Sequence, residues 1–349
     1  MIKVFVSPRL PDIPYIPALF PNWGFEDRTK SFYLKEVFGD FTEPVVEIVQ
    51  KPSAADFILI PHLFAYRHRG DFVTPALRIS QESGKPLILF AHGDSAEDIR
   101  LPHTIVFRYS QYRSSKRPFE IIAPIYAEDL GAGRDITPRL KGEKPTVGFC
   151  GWAEYAHSSA RLKAALRHLL IECRALVNPK IRARKKGIYF RKRALESLAA
   201  SSGLHTNFII RRSHGYHTGT IQVSKEEARQ DFVNIILNSD LALAVKGDGN
   251  ASIRFYEILS LGRIPLLVDT DMVLPFEDRI DYRSLMFSVP FERISEIGDM
   301  VSTFWGALSP EHFEAMQRQA RAVFVRYLEP KAFLREALQY DYLMRHVAS

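Results

Sequence analysis

The stretch that most constrains this chain runs from Leu241 to Val268, where two apolar runs flank a glycine turn and a short amphipathic segment. Leu241 to Val245 is wholly apolar and too short for a helix, which suits a parallel strand covered on both faces. Lys246-Gly247-Asp248-Gly249-Asn250 breaks the run with turn formers. Asn250 or Ser252 can cap a helix in which Ile253, Phe255, Tyr256, Ile258 and Leu259 pack inward. Gly262 ends that helix, and Ile264 to Val268 reads as the next buried strand. Such a β-loop-α-β unit leaves backbone N–H groups and the positive end of a helix dipole at the turn, where phosphate oxygens are well received. Arg254 and Glu257 lie one turn apart, on a face away from most of the packed residues. The arginine suits a diphosphate and the carboxylate suits the paired hydroxyls of a ribose. A plain helix cap with a surface ion pair fits the same spacing equally well.

Strand and helix patterns alternate on both sides of this unit. Strands are expected at Ile2–Val6, Val45–Val49, Phe57–Ile60, Pro86–Ala91, Thr104–Phe107 and Ile121–Ile125, then at Thr146–Cys150 and Thr206–Ile210. Helices are expected at 29–37, 72–83, 159–175, 226–238, 294–308, 310–328 and 331–347. In the helix 159–175, Leu162, Leu166, Leu169 and Leu170 recur at helical spacing. Arg134 to Pro145 is polar, carries Pro138 and Pro145, and reads as a linker. The pattern predicts an α/β protein of two doubly wound, Rossmann-like domains, 1–140 and 141–329, followed by a terminal helix over 330–349.

Composition narrows the classes. No stretch approaches about 18 uninterrupted apolar residues, so no membrane-spanning helix is expected. The start, MIKVFVSPRLPDIP, lacks the apolar core of a signal peptide, and a cytoplasmic enzyme is the simplest reading. Cys150 and Cys173 give neither a disulfide framework nor a zinc spacing, and read as buried thiols. Net charge is +7, and the excess is local: Lys180 to Arg193 carries eight Lys or Arg in fourteen residues. That run reads as a solvated, mobile loop, or as a peripheral contact for anionic membrane or an acidic glycan. No nucleic-acid motif accompanies it.

The stretch KGDGNASIRFYEILSLGRIPLLVDTDMVLPFEDRIDY, Lys246 to Tyr282, resembles the signature of the exostosin family of glycosyltransferases, GT47. That family has RGDG-S-RFYEAL-AGCIPVI followed by LPFED-IDW. Weaker matches, AADFILIPHL (54–63), GFCGWAEYAHSSAR (148–161) and DFVNIILNSDLALAVKGDG (231–249), follow in the expected order. Lys246 stands where the family has Arg, Arg263 where it has Cys, and Asn250-Ala251 where small residues and Ser are usual. The resemblance implies GT-B architecture, two Rossmann-like domains facing a cleft, in which the terminal helix over 330–349 is placed to cross back to the first. It also implies inverting transfer from a nucleotide-diphosphate sugar, UDP-linked in this reading, to a glycan or glycoconjugate. The implied donor set is Gly151, Arg161, Lys246, Gly247, Asp248, Gly249, Asn250, Ser252, Arg254 and Glu257, with no cofactor and no metal. A GDP-sugar transferase of fucosyltransferase type, or a non-catalytic polyanion-binding protein, are the other readings.

Inversion needs a base on the acceptor hydroxyl. His92 and Asp94, beyond the strand 86–91, are the first candidates, because Gly93 lets the backbone turn and a carboxylate can orient the imidazole. Asp12, His62, Glu26 and Asp27 follow by position. Asp269-Thr270-Asp271 has the DxD spacing of a metal site but lies after the phosphate-binding helix. His214 and His217 lack a third zinc ligand. Glu277-Asp278 reads as a buttress of the donor site.

Overall fold

A computed structural model of the chain describes residues 1–26, 34–64, 69–154, 158–211 and 224–347. The chain divides into two compact units: Met1–Glu128 with Val273–Phe276 and Val325–Ser349, and Asp129–Met272 with Glu277–Phe324. Each holds an all-parallel sheet, so both Rossmann-like sheets expected from the alternation are present.

The first sheet has strands β1 (Ile2–Val6), β2 (Val46–Ile48), β3 (Phe57–Leu63), β4 (Leu87–Ala91), β5 (Thr104–Arg108) and β6 (Glu120–Ile122). Helices α1 (Phe20–Trp23), α2 (Leu34–Phe38) and α3 (Gly70–Ser83) lie among them. The order is β2-β1-β3-β4-β5-β6, with Val4 opposite Phe57 and Leu87 opposite Thr104. The continuous apolar runs FILI and LILF are buried, as central parallel strands require. Ile58, Ile60, Leu87, Leu89 and Val106 join Phe72, Val73 and Ala76 of α3 in one core cluster.

The second sheet has β7 (Thr146–Trp152), β8 (His205–Arg211), β9 (Leu241–Ala244), β10 (Ile264–Asp269) and β11 (Phe287–Pro290), in the order β11-β10-β9-β7-β8. Its helices are α4 (Ser158–Ala175), α5 (Gly187–Ala200), α6 (Lys225–Leu237), α7 (Ile253–Ser260), α8 (Ile297–Ala307) and α9 (Pro310–Val323). All of β9 and the span Ile264–Val268 are buried. In both sheets the chain first moves one way from the starting strand and then the other. The order therefore reverses between β1 and β3, and between β7 and β9, and ligands of such sheets bind beyond the carboxyl ends at these points.

Three expectations need correction. The basic run 180–193 is not a loose loop: a 3₁₀ turn over Pro179–Arg184 leads into α5. The terminal helix is two short ones, α10 (Pro330–Ala337) and α11 (Tyr340–Met344). Segment 134–145 is anchored within the second unit. Arg139 pairs with Asp240 at 2.7 Å, and Trp305 Nε1 donates to the Gly142 carbonyl at 3.0 Å. Among the described residues no helix is long and apolar enough to cross a membrane.

Candidate functional site

The order reversal between β7 and β9 lies where the sequence puts its glycine turn. β7 ends at Gly151-Trp152, and β9 runs out into Val245 and the turn Lys246–Ser252. Gly247 N donates to Ala251 O at 2.9 Å and closes that turn. Ser252 is the N-cap of α7, with no capping bond from its own side chain.

Arg254, on the first turn of α7, reaches the end of β7. Its Nη2 donates to the Cys150 carbonyl at 3.0 Å, and its guanidinium lies 4.8 Å from the Phe149 ring centre. Gly151 permits this: a Cβ there would lie 2.4 Å from Nη2, and the residue's φ of 151° is also costly for any side chain. A second guanidinium arrives from the basic run. Arg191 of α5 donates to the Trp152 carbonyl and, at 3.5 Å, to that of Lys246. Burial, reinforced by the charge of Arg254 and opposed by Asp248, lowers its pKa to about 9. Arg191 keeps its proton at neutral pH, and two guanidiniums brought together make the end of β7 a favourable place for an anion.

The basic run is docked on the glycine turn. Gly187 N donates to Gly247 O at 3.1 Å, and a Cβ at 187 would sit 1.9 Å from the Lys246 carbonyl oxygen. Lys186 pairs with Asp248 at 3.3 Å; Lys185 and Arg182 pair with Glu172 at 2.6 and 2.8 Å. Sequence reading did not single out Arg191 or Gly187. The signal was there: Ile188, Leu195 and Leu198, with Phe190 and Ala194, recur at helical spacing inside and beyond the charges.

Other donor-set residues have different surroundings from those expected. Lys246 is 1% exposed, and its ammonium donates to the Ala183 carbonyl at 2.7 Å, so it anchors the basic segment. Burial, reinforced by Arg167, lowers its pKa to about 7. Asn250 is also buried: its Oδ1 accepts from Thr270 Oγ1 at 2.7 Å and its Nδ2 donates to Asp271 O at 3.2 Å. Glu257 is not on an open face but 6% exposed, with Oε1 held by Arg229 of α6 at 3.0 Å. Asp248 and Gly249 lie in the turn as expected, the first exposed and the second buried. Arg161 belongs to α4, and its side chain lies outside the described residues, as do Asp27, His214 and His217. Asp269 Oδ1 accepts from Met272 N at 2.9 Å, which closes the turn after β10.

In the first unit His92 and Asp94 are not brought together. The His92 ring is buried, with neither nitrogen hydrogen-bonded among the described residues. It stacks on Tyr109 at 3.9 Å and meets Phe90 and Tyr126 edge-on. Burial lowers its pKa to about 3, so the ring is neutral and acts as an aromatic wall. Asp94 is exposed beyond β4. His62 is structural as well: Nε2 accepts from Leu10 N at 2.9 Å and Nδ1 lies 3.0 Å from Pro14 O, which fixes the loop after β1. Asp12 is exposed on that loop. Glu26 is buried there, accepting from Tyr15 N at 3.2 Å with Arg9 3.9 Å away.

Residues 172–304 match the family model described as the Exostosin GT47 domain. Exostosin-1 of Drosophila melanogaster is 29% identical over 104 residues, 30% of this chain and 13% of that protein. This chain thus matches only a small part of that relative's length. A glycosyltransferase from Rickettsia africae superposes with a TM-score of 0.38 at 11% identity, over 83% of this chain and 77% of its own. HepE of Anabaena, solved with UDP-glucose, gives 0.38 at 10% identity over 97% and 98%. Both structural likenesses are too distant to assign anything to this chain.

Proposed function

We propose that this chain, an exostosin-family protein by its residues 172–304, is a GT-B glycosyltransferase that moves a sugar from a UDP-linked donor to a glycan or glycoconjugate with inversion. The observation that carries the reading is the pair of guanidiniums, Arg191 and Arg254, held on the carbonyls that end β7. A departing diphosphate develops charge in the transition state, and fixed cations at that place stabilise it. Under this reading the turn Gly247–Ser252 and the start of α7 supply backbone donors, and Lys246 and Asn250 hold the turn in shape.

Glu257 is the proposed ribose ligand. A carboxylate has about four lone-pair sites, and Arg229 orients it. Glu257→Ala would take a charged partner from the half-buried Arg229, so Glu257→Gln is the cleaner variant. It is expected to weaken nucleotide binding roughly 10- to 150-fold, the cost of one charged hydrogen bond. Calorimetry with UDP checks this.

Inversion by a single displacement needs a base, and Asp94 is the carboxylate we assign to it. The phosphate charge is met by protein cations, so activity is expected to survive EDTA. The test is slow hydrolysis of a panel of nucleotide sugars, with and without chelator. UDP-linked turnover that persists in EDTA supports the reading. Turnover only with GDP-linked donors, or a loss in EDTA that Mn²⁺ restores, would overturn the donor or the charge assignment.

A further inference from the structure

The helix α4 presents its apolar side to solvent. At 100° per residue, Ala164, His168, Ile171 and Ala175 share one face, and Ile171 and Ala175 are buried. Leu162, Leu166, Leu169 and Leu170 fall on the opposite arc, each 58–65% exposed. Leu176 and Val177, just past the helix, are 83% and 91% exposed and extend the stripe. An apolar patch of this extent on a soluble surface marks an interaction site.

The borders of the stripe identify the partner. Lys163, Arg167 and Arg174 are exposed along one edge of it. The helix's one carboxylate among its described side chains, Glu172, is neutralised by Arg182 and Lys185. We propose that α4 lies on an anionic lipid bilayer, with its leucines in the acyl boundary and its cations reaching the headgroups. A second copy of the chain fits less well. An antiparallel two-fold pairing of this face would set Lys163, Arg167 and Arg174 along the same edge as their equivalents, and either pairing brings together two chains that each carry +7.

The experiment uses the full chain and vesicles of phosphatidylcholine alone or with about a third phosphatidylglycerol. Cys173 lies on the same arc and is the exposed one of the two cysteines, so an environment-sensitive fluorophore there reports insertion. The parent is expected to float with anionic vesicles at least ~10-fold better than with neutral ones, with a blue-shifted label. Leu166→Glu with Leu169→Glu should abolish flotation while circular dichroism and Tm stay unchanged, since neither side chain is packed. Lys163→Gln with Arg174→Gln should weaken anionic binding by roughly 20- to 30-fold, at about 1 kcal/mol per cation. Equal flotation of parent and leucine variant would overturn the proposal. So would a parent dimer in light scattering that the leucine variant dissolves, or retention on a soluble sulfated polysaccharide in place of vesicles. None of these readouts depends on sugar transfer.

Discussion

Lys246 shows how a residue's role turns on where its side chain is sent. An unfolded lysine keeps its proton up to about pH 10.5, whereas in the fold burial lowers that to about 7. Between those values the unfolded chain holds the extra proton, so raising the pH through this window stabilises the folded state. From pH 7 to 9 the parent is expected to gain about 2 kcal/mol relative to Lys246→Met, read from urea midpoints at each pH. An unchanged difference would mean that the ammonium stays protonated in the fold. His92 and Asp94 make a second pair of opposites. His92→Phe is expected to keep turnover within about threefold, because a neutral ring surrounded by Phe90, Tyr109 and Tyr126 works by packing. Asp94→Asn is expected to lose about 10²–10⁴ of kcat with UDP affinity preserved. Equal losses in the two variants would return the imidazole to the chemistry.

At the scale of elements, the junction of α7 and β10 depends on a residue that departs from the exostosin signature this stretch resembles. Arg263 is 5% exposed and donates to the carbonyls of Leu237, Thr137, Leu261 and Gly262. It therefore ties the end of α6 and the segment 134–145 to the start of β10. Arg263→Cys would leave these acceptors without their donor, at a cost of about 1–3 kcal/mol for each that stays buried and unmet. A loss of at least about 2 kcal/mol in denaturant unfolding is expected, and a loss below about 0.5 kcal/mol would show that water replaces the guanidinium. The basic run teaches a related lesson. Eight charges in fourteen residues look like solvated chain, yet Gly187 and the apolar positions of α5 dock it on the glycine turn.

On the scale of the whole molecule, the chain returns to the first unit at Val325. Phe333, Leu334, Leu338, Tyr342 and Leu343 of this return are 5% exposed or less, and Phe276, in a left-handed conformation at φ 50°, packs on Phe333 and Tyr342. Lys331 pairs with Asp40 and Arg335 with Glu43. Burying five such side chains contributes roughly 7–15 kcal/mol, as large as the net stability of a typical domain. A chain ending at Glu329 is therefore expected to lose hydrogen-exchange protection across β1 to β6 while β7 to β11 keep theirs. Phe333→Ala alone is expected to cost about 3–5 kcal/mol. Persistent protection of β1 to β6 in the shortened chain would show that the return is dispensable.

The strands and the glycine turn were legible because their signals are local. FILI, LILF, LALA and IPLLV are apolar without alternation, and Gly247, Gly249 and Gly262 break the pattern where the backbone must turn. The turn and the two sheets followed from that alone. The direction in which side chains point did not. The leucines of α4 repeat at helical spacing whichever face is buried, so the period could not reveal that they face solvent. Glu257 and Lys246 carry charges that read as exposed, and the arrival of Arg229 and of the Ala183 carbonyl helps make their burial tolerable. Arg191 enters the site because Gly187 lets α5 approach the Lys246 carbonyl, a contact 59 residues away in the chain that no local pattern encodes. Periodicity sets which elements form; contacts distant in sequence decide which faces are covered and which charges meet.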